Sequence, residues 1–245
     1  MKHRLCIAGN GDLSRKTESN SELTLDRDQS HYLTRVLRLG PGAGVGLFDG
    51  KGREWQGSIV AIDGKRATVA FGPLYREAPA PTPLIVAIGW LKGSAMDRVL
   101  QKAVELGATD LWIIEAERSN VSLKGDRRTQ KLAHYERIMI SAAEQCETLW
   151  LPKLVATGPV RATLNRERPA TGYLLDPGAP VLAPGSDPQP AMILVGPEGG
   201  WTDGERAVAM DAGLTAAGLG PLTLRAETAP LAALAALKQS WGWRP

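Results

Sequence analysis

The fold of this chain is decided by the stretch Met192-Ile-Leu-Val-Gly-Pro-Glu-Gly-Gly-Trp-Thr202. Its first four residues form an apolar run that is too short for a helix and is ended by Gly196-Pro197, which predicts a buried strand. Thr202 and Glu205 stand three residues apart, the spacing of a capping box, and predict a helix that begins near Asp203. A glycine-rich loop is therefore expected to join a strand to a helix.

This loop has the composition of a ligand-binding turn. Gly196, Gly199 and Gly200 allow the backbone to approach a ligand closely, and backbone amides near a helix start are available as donors. An ordinary tight turn between a strand and a helix is the alternative explanation for any pair of glycines. Pro197 fixes its own φ, and Glu198 places a charge at the mouth of an apolar strand, so we favour a binding loop.

On both sides of this stretch, strands alternate with helices over residues 84–245, which predicts an α/β domain with a largely parallel sheet. The predicted strands are residues 84–91, 110–115, 172–175, 192–195 and 215–219. Ser94 and Asp97 resemble a capping box and predict a helix that ends at Gly107. Further helices are predicted at residues 126–145 and 204–212, and in the Ala/Leu-rich segment that ends near Gln239.

The N-terminal third has a different pattern. Three short apolar runs, at residues 45–48, 53–62 and 66–71, are separated by Asp-Gly turns and predict a small β-barrel over residues 1–74. Residues 5–8 are a candidate first strand, and residues 10–22 are expected to form a loop. A helix is predicted to begin near Asp26 and to bury Leu33, Val36 and Leu37. Residues 75–83, rich in proline, are predicted to form an extended linker.

Bulk composition limits the function classes. The chain has 245 residues, 43% of them hydrophobic, and a formal net charge of +3, so it is expected to fold into a sizeable core. The excess of basic side chains falls within residues 1–74. Two cysteines and three histidines show no metal-site spacing, so no metal is expected. No export signal or 18-residue apolar stretch is found, which favours a cytoplasmic protein without membrane contact.

Several motifs, in this order, resemble those of the RsmE family of 16S ribosomal RNA uracil-N3 methyltransferases, within the SPOUT class. They are Lys92-Gly93, Met96-Asp97, the run from Gln101 to Gly107, Glu117-Arg118-Ser119, Glu144-Gln145-Cys146, the loop from Gly196 to Gly200, and Leu224-Arg225-Ala226-Glu227-Thr228-Ala229. In the first domain, His31-Tyr32-Leu33, Val36-Leu37-Arg38-Leu39 and the run from Leu47 to Gly52 are similar to the family's PUA-like RNA-binding domain. In the family an arginine often stands two residues after the Glu-Gln-Cys motif, whereas this chain has Glu147-Thr148 after it.

The resemblance implies properties that periodicity and spacing do not show. It implies a small N-terminal PUA-like β-barrel domain, a C-terminal SPOUT α/β domain with a trefoil knot, and a homodimer in which the partner subunit completes the RNA site. S-adenosyl-L-methionine is expected to bind in the knotted loops. The expected substrate is a uridine of 16S rRNA in the small ribosomal subunit, which places the protein in ribosome biogenesis.

Candidate site residues follow from the loops and from the resemblance. Arg225 is the first candidate for electrostatic catalysis, with an ion pair to Glu227 or Glu198 as the structural alternative. For Glu227 a structural first-turn role is favoured. The residues expected to line the cofactor pocket are Leu175, Val195, Gly196, Pro197, Glu198, Gly199, Gly200, Leu219, Leu222 and Leu224, although each leucine taken alone is more often a core residue.

RNA contacts are expected in both domains. In the basic first domain they are His31, Arg35 and Arg38, alongside Lys2 and Arg4. For His31, Arg35 and Arg38 a solvated helix face is an equally good alternative. In the second domain the resemblance points to Lys92, Lys102, Arg118 and Ser119, and without it Lys102 reads as a solvated helix residue.

Two other functions remain open at this point. The chain is alternatively a non-catalytic RNA-binding protein of ribosome assembly that retains the fold, or a SPOUT enzyme that methylates a ribose 2′-OH. Intact cofactor loops argue against the first. Only the family resemblance favours uracil N3 over the ribose 2′-OH as the acceptor.

Overall fold

The computed structural model of the protein describes residues 3–10, 21–121 and 124–244, and it divides into two compact units. Unit 1 comprises Met1–Ala80 together with Ala143–Leu151, and unit 2 comprises Pro81–Ala142 together with Pro152–Pro245. The first junction falls within the linker expected at residues 75–83. The assignment of Ala143–Leu151 to unit 1 was not predicted. Lys2 and most of the loop expected at residues 10–22 lie outside the described residues.

Unit 1 is built on a five-stranded sheet in the order β1-β3-β4-β5-β2. The strands are β1 (Arg4–Cys6), β2 (Ser21–Thr24), β3 (Gly44–Phe48), β4 (Arg53–Asp63) and β5 (Arg66–Glu77). β1 pairs with β3 in parallel, and the other pairs are antiparallel. The two Asp-Gly turns lie where they were predicted, whereas β2 was missed and β5 continues beyond the predicted residue 71.

The predicted first helix is shorter than expected and changes its geometry midway. Helix α1 (Arg27–His31) begins at Asp26, whose side chain forms a reciprocal capping box with Gln29, and a π-helical turn follows over Tyr32–Val36. A π-turn takes up extra residues and therefore rotates the following side chains away from their α-helical positions. Leu33 is fully buried as predicted, but Val36 is 57% exposed, so the predicted apolar face is wrong at that residue.

Segment Ala143–Leu151 is held to β1 and to the β3–β4 turn by specific hydrogen bonds. The Arg4 guanidinium donates to the Ala143 and Thr148 carbonyl oxygens, each at 3.2 Å. The Cys6 amide donates to Glu144 Oε1 at 3.0 Å, and the Gly52 amide donates to the Leu149 carbonyl oxygen at 3.0 Å. The segment is therefore an integral part of unit 1.

The position of Arg4 corrects its expected role as a phosphate contact. Its guanidinium lies 4.5 Å from the Phe48 ring centroid and forms a 2.8 Å ion pair with Glu54, and the residue is only 6% exposed. A buried cation needs such partners to offset its lost hydration. Arg4 is thus part of the interior of unit 1 and is dropped from the RNA contacts.

Unit 2 contains a six-stranded parallel sheet in the order β11-β9-β10-β6-β7-β8. Its strands are β6 (Leu84–Gly89), β7 (Asp110–Glu115), β8 (Lys153–Pro159), β9 (Thr171–Leu175), β10 (Ala191–Val195) and β11 (Thr215–Ala217). Its helices are α2 (Ala95–Glu105), α3 (Gly125–Cys146, whose last residues belong to unit 1), α4 (Val160–Leu164), α5 (Asp203–Asp211) and α6 (Ala229–Ser240). β8 and α4 were not predicted, whereas the strand-helix alternation was.

The capping predictions for two helices had different outcomes. Thr202 caps α5 with both hydrogen bonds of a capping box to Glu205, as predicted. Ser94 precedes α2 but makes no side-chain cap hydrogen bond, because its hydroxyl accepts a hydrogen bond from the Arg98 guanidinium at 2.7 Å. The capping box expected from Ser94 and Asp97 is therefore wrong, although the helix begins where it was expected.

The connections of unit 2 reverse direction between β6 and β10, which are neighbours in the sheet. From β6 the chain passes through α2 to β7 on one side, and from β10 it passes through α5 to β11 on the other side. The loops that leave the two strands therefore separate and open a crevice at their carboxyl ends, where open α/β sheets bind ligands. Among the described residues, no helix has the length and apolar character needed to cross a bilayer.

Glu144 supplies a test of how segment Ala143–Leu151 is held in unit 1. Burial raises the pKa of its carboxyl from 4.5 to about 7. Between these values the folded chain retains a proton that the unfolded chain has released, so stability should fall as pH rises through that window. Glu144→Gln keeps an acceptor for the Cys6 amide and removes the titration.

We expect the loss of unfolding free energy between about pH 4.5 and pH 7.5 to be smaller in Glu144→Gln by about 1 kcal/mol or more, since one pKa unit corresponds to about 1.4 kcal/mol. Denaturant unfolding at several pH values measures this. Glu136→Gln, an exposed substitution on α3, is the matched control and should retain the wild-type dependence. An unchanged dependence in Glu144→Gln would contradict the assignment.

Candidate functional site

A cavity of about 710 Å³ lies in unit 2 at the carboxyl ends of the parallel strands. It is lined by residues that follow β9, β10 and β11, by Ala95 and Ala229 of α2 and α6, and by Arg118 from the loop after β7. All of the residues predicted to line a cofactor pocket surround this one cavity: Leu175, Val195, Gly196, Pro197, Glu198, Gly199, Gly200, Leu219, Leu222 and Leu224. Arg225 and Glu227 line it as well.

Close backbone approach explains two of the glycines at the site. A Cβ atom on Gly89, the last residue of β6, would lie 2.9 Å from Pro197 Cδ. A Cβ on Gly199 would lie 2.8 Å from both the Cβ and the carbonyl oxygen of Arg118. The glycine-rich loop is therefore pressed against the end of β6 on one side and against the loop after β7 on the other.

A tight turn gives the loop its shape. The Gly200 amide donates to the Pro197 carbonyl oxygen at 2.9 Å, and Gly200 has a φ of 68°, a left-handed value that favours glycine. The next residue, Trp201, is 2% exposed, and its indole N–H donates to the Leu175 carbonyl oxygen at 3.3 Å. The loop after β10 is thus tied to the end of β9.

Glu205 joins two loops of the site through one buried carboxylate. Its Oε2 accepts from the Thr202 amide at 3.0 Å, and its Oε1 accepts from the Glu117 amide at 2.9 Å. Glu117 precedes Arg118 in the loop after β7. The sequence predicted the first of these contacts through the capping box but contained no signal for the second, which joins residues 88 apart.

Glu198 and Ser119 connect the loop after β6 to its neighbours. The Glu198 carboxylate accepts a hydrogen bond from the Lys92 amide at 3.0 Å. The Ser119 hydroxyl donates to the Trp90 carbonyl oxygen at 3.0 Å and accepts from the Val121 amide at 3.3 Å. The structure therefore places Ser119 as a link between loops, and it places Lys92 at the site through its backbone, with its side chain exposed.

The structure separates the two charged residues of the segment from Leu224 to Ala229. Glu227 forms an ion pair with Arg98 of α2 at 3.5 Å, as expected for a structural carboxylate. Within the described residues Arg225 forms no ion pair with Glu227 or Glu198, and its side chain is exposed at the cavity. Its carbonyl oxygen accepts from the Thr228 and Ala229 amides, which fixes the backbone at the start of α6.

The remaining predicted RNA contacts lie on exposed surfaces. Lys102 pairs with Glu105 on α2 at 2.9 Å and does not line the cavity, which matches its reading as a solvated helix residue. In unit 1, His31 and Arg35 line a second cleft of about 390 Å³ between the helical segment that begins at α1 and the tip of the β4–β5 hairpin. We call it the α1 cleft. Arg38 does not line this cleft, and its backbone has a left-handed φ of 56°.

The lining of the unit 2 cavity suits a ligand with a flat apolar part and charged ends. Leucine side chains form its apolar walls, and Leu222, which is 76% exposed, offers an apolar surface to a ligand in the cavity. The Glu198 and Asp176 carboxylates can face a cation, and the Arg225 guanidinium can face an anion. Arg206 holds Asp176 with hydrogen bonds of 2.8 and 3.2 Å, which raises the pKa of Arg206.

Comparisons with known proteins point to one family. Residues 78–238 match the family model of the RNA methyltransferase domain, and residues 25–71 match that of the RNA methyltransferase PUA domain. The chain is 34% identical to Ribosomal RNA small subunit methyltransferase E of Synechocystis sp. over 224 residues, which cover 87% of this chain and 71% of that protein. It is 26% identical to the protein of that name in Bacillus subtilis over 235 residues, covering 90% and 91%.

Solved structures give the same result. The Neisseria gonorrhoeae Ribosomal RNA small subunit methyltransferase E, solved bound to S-adenosyl methionine, matches with a TM-score of 0.86 at 30% identity over 98% of both chains. A Legionella pneumophila protein, solved in complex with the bound cofactor SAM, matches with a TM-score of 0.89 at 26% identity over 98% of both chains.

The link through Glu205 can be tested by one substitution. Glu205→Gln should lower the free energy of unfolding by about 1 to 3 kcal/mol, because an amide has one acceptor oxygen and leaves one of the two backbone N–H groups unpaired. Thermal or denaturant unfolding measures the loss. Glu167→Gln, an exposed substitution in unit 2, should change it little. Equal stability of both variants would contradict a stabilising role for the link that Glu205 forms between the Thr202 and Glu117 amides.

Proposed function

Because the chain belongs to the RNA methyltransferase family that it matches over residues 78–238, we propose that it is an S-adenosylmethionine-dependent methyltransferase of small-subunit ribosomal RNA. The acceptor that we propose is N3 of a uridine in 16S rRNA. One observation carries the proposal: a single cavity at the β6–β10 crevice gathers the glycine-rich loop, the leucines and Arg225. Two structural neighbours that cover 98% of the chain bind this cofactor.

The residues present fit this cofactor. An adenine ring would lie between leucine side chains, with backbone groups near Leu219 and Leu224 as its polar partners. The Gly196–Gly200 loop, kept free of side chains at Gly199 by the approach of Arg118, leaves room beside the strand end. The Glu198 carboxylate, oriented by the Lys92 amide, would face the cationic part of the ligand. S-adenosylmethionine supplies a methyl group bonded to a sulfonium sulfur.

The contribution of this chain is to hold the acceptor and to manage its charge. In-line displacement requires the acceptor nitrogen to lie against the methyl carbon, so the walls of the cavity must fix both groups. Uracil N3 is a poor nucleophile while protonated, and its anion carries charge on the ring. We assign Arg225 the stabilisation of that anion, since its guanidinium is exposed at the cavity and is not neutralised by a carboxylate of the described chain.

The proposal includes features that the family resemblance implies. We propose a trefoil knot in unit 2, a homodimer, and action on rRNA in the cytoplasm. In unit 2 the segment around Val181 runs beside Gly218 as a parallel bridge: the Gly218 amide donates to the Pro180 carbonyl oxygen at 2.7 Å, and the Leu182 amide donates to the Gly218 carbonyl oxygen at 2.8 Å. A Cβ on Gly218 would collide with the Ala179 carbonyl oxygen.

The experiment that tests the function is incubation with radiolabelled S-adenosylmethionine and small ribosomal subunits that lack the modification, followed by nucleoside mass analysis. Label in N3-methyluridine would support the cofactor, the substrate and the acceptor atom together. Label in a 2′-O-methyl nucleoside would overturn the acceptor. No label and no cofactor binding would leave the non-catalytic RNA-binding alternative.

Arg225→Ala should lower turnover about 100-fold or more, the usual effect of removing one group that stabilises developing charge, and should change cofactor affinity little. Single-turnover methylation and calorimetric titration with the cofactor measure the two effects separately. Arg161→Ala, at an exposed position of α4, is the control. Normal turnover in a folded Arg225→Ala protein would remove Arg225 from the mechanism.

Gly199→Val should abolish measurable cofactor binding, because the new side chain must displace the Arg118 backbone or the loop itself. Gly185→Val provides the control, since a Cβ at Gly185 meets no atom within 4 Å. Calorimetric titration of both variants with S-adenosylmethionine gives the comparison. Wild-type affinity in Gly199→Val would show that this loop does not hold the cofactor.

A further inference from the structure

The α1 cleft in unit 1 combines two features that the proposed methyl transfer does not use. Its lining is basic, with Arg27, His31 and Arg35 on the helical segment and Lys65 at the hairpin tip, and it also contains the apolar side chains of Leu39 and Ile62. Its volume, about 390 Å³, falls within the range of small-molecule pockets in proteins. It shares no lining residue with the unit 2 cavity.

The basic side chains come from adjoining parts of the helical segment. Arg27 and His31 are four residues apart in α1 and project from one face of it, and Arg35, in the π-helical turn that follows, lines the cleft as well. Within the described part of the chain, neither Arg27, Arg35 nor Lys65 forms an ion pair with a carboxylate. The acidic residues closest in sequence, Asp26, Asp28 and Asp63, do not line the cleft. The described lining of the cleft therefore carries a net positive charge.

The two walls of the cleft are fixed to each other by a buried hydroxyl. Ser30 of α1 is 1% exposed, and its side-chain oxygen accepts from the Ala67 amide of β5 at 3.0 Å. The Leu25 amide, just before α1, donates to the Ala67 carbonyl oxygen at 2.9 Å. The cleft is thus preformed, which lowers the cost of ordering a ligand in it.

Ile62 gives the cleft a character that a simple phosphate site lacks. It is 39% exposed near the end of β4, although a β-branched aliphatic side chain gains free energy from leaving water. A ligand that satisfies the whole lining needs anionic groups for the cations and a flat apolar face for Ile62 and Leu39. The phosphate oxygens and the nucleobase of a nucleotide meet both needs.

We propose that the α1 cleft binds one unpaired nucleotide of the RNA, with its base against Ile62 and Leu39 and its flanking phosphates on Arg27, Arg35 and Lys65. This nucleotide is not the methyl acceptor, which belongs to the unit 2 cavity. A base in a duplex is stacked and paired, so only an unpaired base presents its face to the cleft. The inference rests on the proposed function for the identity of the ligand as RNA.

The test uses the full chain and two RNA probes: a fully paired hairpin stem and the same stem with one bulged uridine. The wild-type protein should prefer the bulged stem. Ile62→Thr, which keeps the β-branch, should reduce that preference about fourfold, the equivalent of one methylene-sized contact, without changing the salt dependence. Arg27→Ala combined with Lys65→Ala should weaken binding of both stems and lower the salt slope by roughly 1.4 to 1.8 units for two phosphate contacts.

Lys51→Ala is the matched control, because Lys51 is an exposed cation of unit 1 that does not line the cleft. No preference for the bulged stem in the wild-type protein, or an unchanged preference in Ile62→Thr, would overturn the base-binding assignment. An unchanged salt slope in the double variant would overturn the phosphate assignment. Melting curves of each variant establish that it is folded.

Two further readouts separate this proposal from the proposed function. Calorimetric affinity for S-adenosylmethionine should be the same in the wild-type protein and in every cleft variant. Methylation of small ribosomal subunits should fall in the cleft variants through a higher KM, with little change in kcat. If the wild-type protein methylates nothing but the cleft effects on RNA binding are found, the proposed function fails and this inference stands. If methylation is normal and the cleft effects on RNA binding are missing, the proposed function stands and this inference fails.

Discussion

The structure depends on the close approach of Pro197 to the end of β6, at Gly89. A side chain at residue 89 would overlap the proline ring, so the glycine-rich loop can cross the strand end only where the sheet offers bare backbone. This crossing occurs at the β6–β10 junction, where the connections diverge. The cavity is a consequence of both facts: diverging connections create the space, and the loop forms one wall of it.

Polar contacts then fix the walls that packing has brought together. Glu205, Glu198 and Trp201 each join the strand-end loop of β10, or the helix after it, to the loop of another strand. Two of these links use a carboxylate to accept from a backbone amide. Backbone N–H groups in irregular loops have no partner in a regular helix or sheet, so one side chain satisfies a backbone donor and orients a loop at the same time. Among the residues that the structure describes, none tethers the Arg225 side chain, which is exposed at the cavity.

Local sequence patterns predicted the features that depend on neighbours in the chain. The capping box of Thr202 and Glu205, the strand before it and the Asp-Gly turns of unit 1 were predicted because each involves residues within a few positions of one another. The Glu205–Glu117 contact, the interior position of Arg4 and the exposure of Val36 depend on residues distant in sequence or on a π-turn, and no periodicity encodes them. The α/β architecture followed from the alternation of strands and helices. The Gly196–Gly200 loop was predicted to bind a ligand from its own composition, whereas most of the other residues of the cavity were predicted from the family motifs.

Segment Ala143–Leu151 makes the first unit discontinuous in sequence, and this affects how the protein can fold during synthesis. A nascent chain that has emerged only as far as residue 80 lacks the carbonyl oxygens that accept from Arg4 and the carboxylate that accepts from the Cys6 amide. Its buried guanidinium would retain Glu54 and the Phe48 ring as partners but would lose both carbonyl oxygens. The N-terminal unit therefore cannot be completed until the ribosome has translated more than sixty residues of the unit that follows it. A gene fragment cut at the linker would encode an incomplete domain for the same reason.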